Sequence, residues 1–280
     1  MDLSEIIPKR VVYALPGMEQ SEVRRNIVYK SVDGLDLQLD AYSPPGCAFN
    51  TALPAVLFIH GDGPPEIIKN GKDWGQYVSW GQLAAASGLV GIPFNHRSSA
   101  GRLSGMLDVA ADIHDLIDYV RSHAGELNID PDWLCVWACS AGVPYLQELM
   151  AAPPDFVRCL VAYYGMMDFR QFADSIPSET PAEECATTIQ LFKKFSLIKP
   201  LLDHPSTLPP MFIAQAGLDD PQANSSIDRF VAEASASGAK VEFVRHPTGH
   251  HGFDVLDDDE TSRMVIKQTL RFMQVHLHNQ

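Results

Sequence analysis

Leu134-Cys135-Val136-Trp137-Ala138-Cys139-Ser140-Ala141-Gly142-Val143-Pro144-Tyr145 is the stretch that decides how the chain is read. Its first five residues are apolar, as in a strand covered on both faces. Pro144 suits the first turn of a helix, where no backbone donor is required. Between the two the chain turns sharply at Ser140. A strand, a sharp turn and a helix in this order hold the central residue in a strained conformation with its side chain standing clear. Strand and helix pack closely there, so the residues two before and two after must be small. Ala138 and Gly142 meet that demand, with Ala138 standing where Gly is usual. Cys139 is a rival nucleophile. It would be flanked at those two positions by Trp137 and Ala141, and an indole does not fit.

Outward from this elbow, apolar runs alternate with helical patterns. Ala55–His60, Leu89–Phe94, Cys159–Tyr164, Met211–Ala216 and Val241–Val244 read as further strands. Asn26–Tyr29 and Leu35–Ala41 flank Asp33-Gly34 and read as an antiparallel hairpin at the sheet edge. Helices are expected over Trp74–Gly88, Val109–Ala124, Asn224–Gly238 and Thr261–His276. In the second of these Ala110, Ile113, Ile117 and Val120 share one face, with Asp112, Asp115 and Asp118 elsewhere. Such alternation means a βαβ architecture. From Asp168 to about Pro209 the rhythm breaks. That stretch holds five prolines and a helical piece near Thr187–Phe195, and it reads as an insertion between strands, either a cap over a pocket or a surface helix with loops.

A serine hydroxyl is a weak nucleophile and needs a base that an acid holds in place. The strand Met211–Ala216 leads into Gly217-Leu218-Asp219-Asp220-Pro221, where a carboxylate can reach such a base. Asp220 is the preferred acid and Asp219 the alternative. The last strand leads into His246-Pro247-Thr248-Gly249-His250-His251-Gly252-Phe253. His251 is the chosen base, His250 a wall or structural residue, and His246 a local packing residue. Ala55–His60 ends in Gly61-Asp62-Gly63, a turn able to aim backbone N–H groups at a developing oxyanion. The amides of Asp62 and Ala141 are the expected donors. The Asp62 charge is unfavourable there unless its side chain points away.

These pieces together resemble α/β-hydrolase esterases of the dienelactone-hydrolase-like and hormone-sensitive-lipase-like groups. The resemblance rests on Val32-Asp33-Gly34, His60-Gly61-Asp62-Gly63, Asn128-Ile129-Asp130-Pro131-Asp132, the elbow at Ser140, Ala216-Gly217-Leu218-Asp219-Asp220-Pro221 and His251-Gly252-Phe253, spanning about residues 24 to 272. It implies an α/β-hydrolase fold: a mostly parallel, eight-stranded sheet with helices on both faces and a small insertion or cap around 168–209. It implies no cofactor, no metal, and an acyl-enzyme intermediate that water hydrolyses. The expected function is a carboxylesterase with Ser140, Asp220 and His251 as its triad. A peptidase, lactonase or acyltransferase with the same triad is the first alternative, and a non-catalytic binding protein on the same fold the second.

The bulk numbers agree with this. Two hundred and eighty residues with 46% hydrophobic content bury a large core, and one domain over 1–280 is favoured. A net charge of −14 repels phosphate backbones and anionic lipid, so nucleic acid and membranes are not expected partners. The expected partner is a small-molecule ester, and a homo-oligomer is neither demanded nor forbidden. Five cysteines without a CxxC pair make a poor disulfide framework. With a charged, mixed start over Met1–Arg10, they point to a cytoplasmic protein. Phe169, Phe172, Leu191, Phe192 and Phe195 are candidates for an apolar pocket wall or for cap packing, and Trp74, Trp80 and Tyr145 for the pocket entrance.

Overall fold

A computed structural model describes residues 3–47 and 52–277. Eight strands form one sheet in the order β1-β2-β4-β3-β5-β6-β7-β8. They are β1 (Glu22–Val32), β2 (Leu35–Ser43), β3 (Leu53–Ile59), β4 (Val90–Pro93), β5 (Ile129–Cys139), β6 (Val157–Tyr163), β7 (Met211–Ala216) and β8 (Val241–His246). β1 and β2 are the expected hairpin. Asp33 and Gly34 both have positive φ (52° and 76°), the pairing a two-residue turn needs to match strand twist. β2 meets β4 antiparallel, and from β4 to β8 every pairing is parallel.

Successive side chains of the central strands enter opposite cores, as period-two geometry demands. Leu57, Ile59, Val136, Ala138, Leu160 and Ala162 join one apolar cluster. Val56, Phe58, Cys135, Trp137, Val161 and Tyr163 join the other. Helices α2 (Gly105–Ser122) and α5 (Pro221–Ser237) cover the first face, and α1 (Gly75–Ala86) and α6 (Glu260–Leu277) the second. β8 differs from the fully covered strand expected of it. It is the sheet's outer strand, paired only to β7, and Phe243 is exposed.

The stretch from Asp168 to Pro209 joins β6 to β7 through a 3-10 turn (Phe169–Ser175), α3 (Ala182–Lys194) and α4 (Ile198–Asp203). No residue of α3 is fully buried, whereas α4 buries Ile198, Pro200 and Leu201. Phe169, Phe172 and Phe192 pack on one another, with ring centroids 6.0 to 6.4 Å apart. Asp168, fully buried, anchors the start of the stretch by accepting from Arg170 and Arg229. Among the described residues no helix is long and apolar enough to cross a membrane.

Candidate active site

β5 delivers Ser140 to the carboxyl edge of the sheet. The chain then turns into a 3-10 helix (Ser140–Leu146) that passes into a short α-helix (Gln147–Ala151). The first helical turn is tighter than the α-helix expected, and Pro144, which has no N–H to donate, sits within it. Ser140 has φ 53°, a left-handed conformation that a residue with a Cβ adopts only under strain. The elbow is compressed from the side: a Cβ on Gly142 would lie 2.7 Å from the carbonyl oxygen of His60. Ala138 is fully buried between its register partners Ile59 and Ala162.

Three groups meet above the elbow. Ser140 Oγ lies 2.8 Å from His251 Nε2, and His251 Nδ1 lies 2.7 Å from Asp219 Oδ2. The loops carrying His251 and Asp219 are tied together by the backbone bonds Gly217 N–His246 O (2.8 Å) and Leu218 N–Gly249 O (2.9 Å). That approach requires a glycine, since a Cβ on Gly217 would lie 2.3 Å from the Pro247 carbonyl oxygen.

The acid preferred from sequence, Asp220, is not the one that reaches the base. Its carboxylate turns the other way and caps α5, accepting from the amides of Gln222 (2.8 Å) and Ala223 (3.1 Å). Asp219 fills the position instead. Its second oxygen accepts from the Asp220 amide at 2.7 Å, which fixes the carboxylate for the histidine. The Cys139 alternative also loses its ground. The thiol is buried, 3.2 Å from the Tyr77 hydroxyl, and burial pushes it up to about 12.

Asp62, in the turn after β3, is held by neighbouring amides. Its carboxylate accepts from the amides of Gly63 (2.8 Å) and Ser99 (3.1 Å). The Asp62 amide makes no hydrogen bond among the described residues. The Ala141 amide belongs to the first helical turn, whose N–H groups have no intrahelical acceptor. Behind the turn, His60 stacks on His96 with ring centroids 3.7 Å apart. Both rings are buried, and burial holds both well towards the neutral form, below the ordinary histidine range.

Sequence patterning missed one contributor. Asp254 is fully buried in the short helix Phe253–Leu256, directly after the His251 loop. It accepts from Trp80 Nε1 (2.9 Å), Gln76 Nε2 (2.9 Å) and the Tyr164 hydroxyl (2.7 Å). Burial raises its carboxyl above the usual range, against those donors. The Tyr164 ring in turn lies 4.8 Å from the His251 ring. Trp80 is therefore part of this buried cluster rather than of the entrance. His250 pairs with Asp257 (3.0 Å), and His246 is buried against Asp259 and Ser262.

A pocket of about 410 Å³ opens over Ser140 and His251. Leu103, Met106, Pro144, Tyr145, Met166 and Phe169 give it apolar walls. Tyr145 and Phe169 thus line it as anticipated, while Phe172, Leu191, Phe192, Phe195 and Trp74 do not. Among the described residues no group of three or more His, Cys, Asp or Glu side chains is placed to hold a metal ion.

Comparison with known proteins bears on this geometry. Over its length the chain superposes on an esterase from the Planctomycetes species Thermogutta terrifontis with TM-score 0.70 at 21% identity, covering 93% of this chain and 94% of that one. The propionate-bound form of the same enzyme gives 0.68 at 22% identity, with coverage of 93% and 94%. The form phosphoramylated by tabun gives 0.63 at 20%, again over 93% and 94%. At such identities the likeness establishes the α/β-hydrolase fold. No curated protein matches the sequence. The BD-FAE family profile matches residues 39–155. The prolyl oligopeptidase family profile (Peptidase_S9) matches residues 106–280, more than half of the chain and all of the segment that bears Ser140, Asp219 and His251; the chain belongs to that family.

Proposed function

We propose that the chain is a cofactor-independent serine hydrolase that cleaves small carboxylic esters. The observation that carries this is the unbroken relay from Ser140 Oγ to His251 to Asp219, at 2.8 and 2.7 Å, under an apolar pocket. His251 takes the hydroxyl proton as Ser140 Oγ bonds to the substrate carbonyl carbon. The amides of Asp62 and Ala141 receive the oxyanion, each such donor being worth roughly 10² to 10³ in kcat. The tetrahedral intermediate collapses, the carbon–oxygen bond to the alcohol breaks, and His251 returns the proton to the leaving oxygen. Water then gives a proton to His251 and attacks the acyl carbon, and the bond to Ser140 Oγ breaks as His251 returns the proton to that oxygen, releasing the acid and the free hydroxyl. Asp219 holds the imidazole tautomer and stabilises the imidazolium.

The structural neighbour from Thermogutta terrifontis supports the ester class, being named an esterase and found with propionate and butyrate bound and phosphorylated by paraoxon. We read residues 1–280 as one catalytic unit in which the 168–209 stretch acts as a small cap, since Phe169 reaches the pocket wall. The described cysteines carry free thiols, which favours the reducing cytoplasm. A homo-oligomer is compatible with the outer β8 strand.

The test is turnover of p-nitrophenyl acetate and butyrate beside Ser140→Ala, without added metal. The wild type should hydrolyse both esters and take a fluorophosphonate label, and Ser140→Ala should lose the label and about 10⁴-fold or more of kcat. Turnover that survives in Ser140→Ala, or a wild type that neither turns over nor labels, would sink the assignment. Family membership favours a peptidase as the second reading. A higher kcat/KM on peptide p-nitroanilides than on the esters would put it first.

A further inference from the structure

The pocket carries four charged side chains besides His251: Asp62, Asp219, Asp220 and Arg102. The three carboxylates are already engaged, Asp62 by the amides of Gly63 and Ser99, Asp219 by His251, and Asp220 by the amides that open α5. Arg102 is not. Only its backbone is engaged, and among the described residues its guanidinium has neither a hydrogen bond nor an ion pair. Arg102 is exposed, and other exposed basic side chains such as Arg24, Lys69 and Arg271 are also unpaired among the described residues; what sets Arg102 apart is that it lines this pocket.

Arg102 is also held in a set place relative to the chemistry. Residues 98–102 form a tight turn in which Ala100 and Gly101 have positive φ (53° and 71°) and the Arg102 amide donates to Ser99 O at 3.1 Å. That turn is fastened to the oxyanion turn. The Ser99 amide donates to the Asp62 carboxylate, and the Ser98 hydroxyl donates to Gly63 O. So the backbone that carries Arg102 is tied through Asp62 to the Gly61–Gly63 turn, and the Arg102 side chain lines the pocket. Tyr145 packs in the same wall, but its hydroxyl is closed off from solvent and contributes no exposed donor.

We infer that the preferred ester carries an anionic group, in the simplest case a carboxylate, which Arg102 binds in the pocket that holds the reacting carbonyl. This rests on the ester-hydrolase reading above. The overall negative field repels anions. A substrate with a carboxylate therefore needs a local cation, and a planar guanidinium suits it.

The experiment compares isosteres that differ only in charge. On the acyl side these are the p-nitrophenyl monoester of succinate and p-nitrophenyl succinamate; on the alcohol side, m-acetoxybenzoate and m-acetoxybenzamide. The readout is the ratio of kcat/KM within each pair, so a uniform loss from misfolding cancels. In the wild type the carboxylate should win in at least one pair by roughly tenfold at low ionic strength, and the advantage should shrink as salt is added. Arg102→Gln should bring that ratio towards one, and Arg102→Glu should invert it. Ratios at or below one in both pairs, or a ratio that Arg102→Gln leaves unchanged, overturn the inference while leaving the hydrolase reading intact. Hydrolysis of none of the four, with no fluorophosphonate label, overturns both.

Discussion

Two rows of polar groups lie at the carboxyl ends of the strands, one open to the pocket and one sealed beneath it. In the open row, the His251 side chain is 50% exposed between Ser140 and Asp219. In the sealed row, His60, His96 and Asp254 have 1% exposure or less. The chemistry of the rows divides along the same line. On the proposed mechanism His251 takes and returns a proton in every turnover, and its place between water and the Asp219 carboxylate suits that exchange. A group that only holds its neighbours in place serves best when burial pins its protonation state. The His60–His96 stack does this for the oxyanion turn, and the Asp254 cluster does it for Tyr164, against which His251 rests.

The largest expected effect lies in the open row and separates its two adjacent carboxylates. Asp219→Asn should lower kcat by about 10⁴, because the amide cannot hold the productive imidazole tautomer. Asp220→Ala removes only a cap from α5, so its signature is about 1 kcal/mol of stability, read by urea unfolding. If Asp220→Ala were the variant that lost activity, the acid assignment would be reversed. Next in size is Asp254→Ala. It leaves Trp80, Gln76 and Tyr164 without their shared acceptor, and each stranded donor costs roughly 1 to 3 kcal/mol. Urea midpoints should fall steeply and kcat with them as Tyr164 loosens. A variant with unchanged midpoint would mean the cluster is slack.

The smallest effect is a pH dependence of stability carried by the sealed histidines. Their folded pKa values are depressed, so below about 6.5 the unfolded chain binds protons that the folded chain refuses. Stability is therefore fully present above that range and is lost as pH falls, by at most about 1.4 kcal/mol per pH unit for each ring. Asp254 opposes this at lower pH, since burial favours its protonated form. Thermal midpoints should drop between pH 7 and 5.5. A flat or rising profile would show that the His60–His96 stack accepts protons without cost.

How far each row was legible in the sequence follows from the range of its interactions. The Ser140 elbow is local: an apolar strand, small residues at two fixed offsets and a proline mark it within a dozen positions. So are the hairpin turn at Asp33-Gly34 and the order of strands and helices. Asp219 and Asp220 are one residue apart in equivalent composition, and the choice between them turns on which carboxylate reaches the amides of Gln222 and Ala223. Pro221 at the helix start was the available signal, because the residue before such a proline serves as the cap. Asp254 was beyond reach, because its donors lie 90 to 178 residues away along the chain. Asp112 misled for a related reason. It sits on the polar side of the helix pattern yet is fully buried, because Arg97 and Lys30 come from distant strands and loops to meet it.

The left-handed backbone at Ser140 bears on how an inactive form of this protein is best made. Alanine keeps a Cβ and so inherits the conformation, its strain and the alignment of the Ala141 amide. Glycine would let the turn relax, since it adopts positive φ without steric penalty. A glycine variant would gain stability while losing the shape of the site, and a substrate trapped in it would report on a pocket that the working enzyme never presents. Alanine is the substitution that silences Ser140 without rewriting its surroundings.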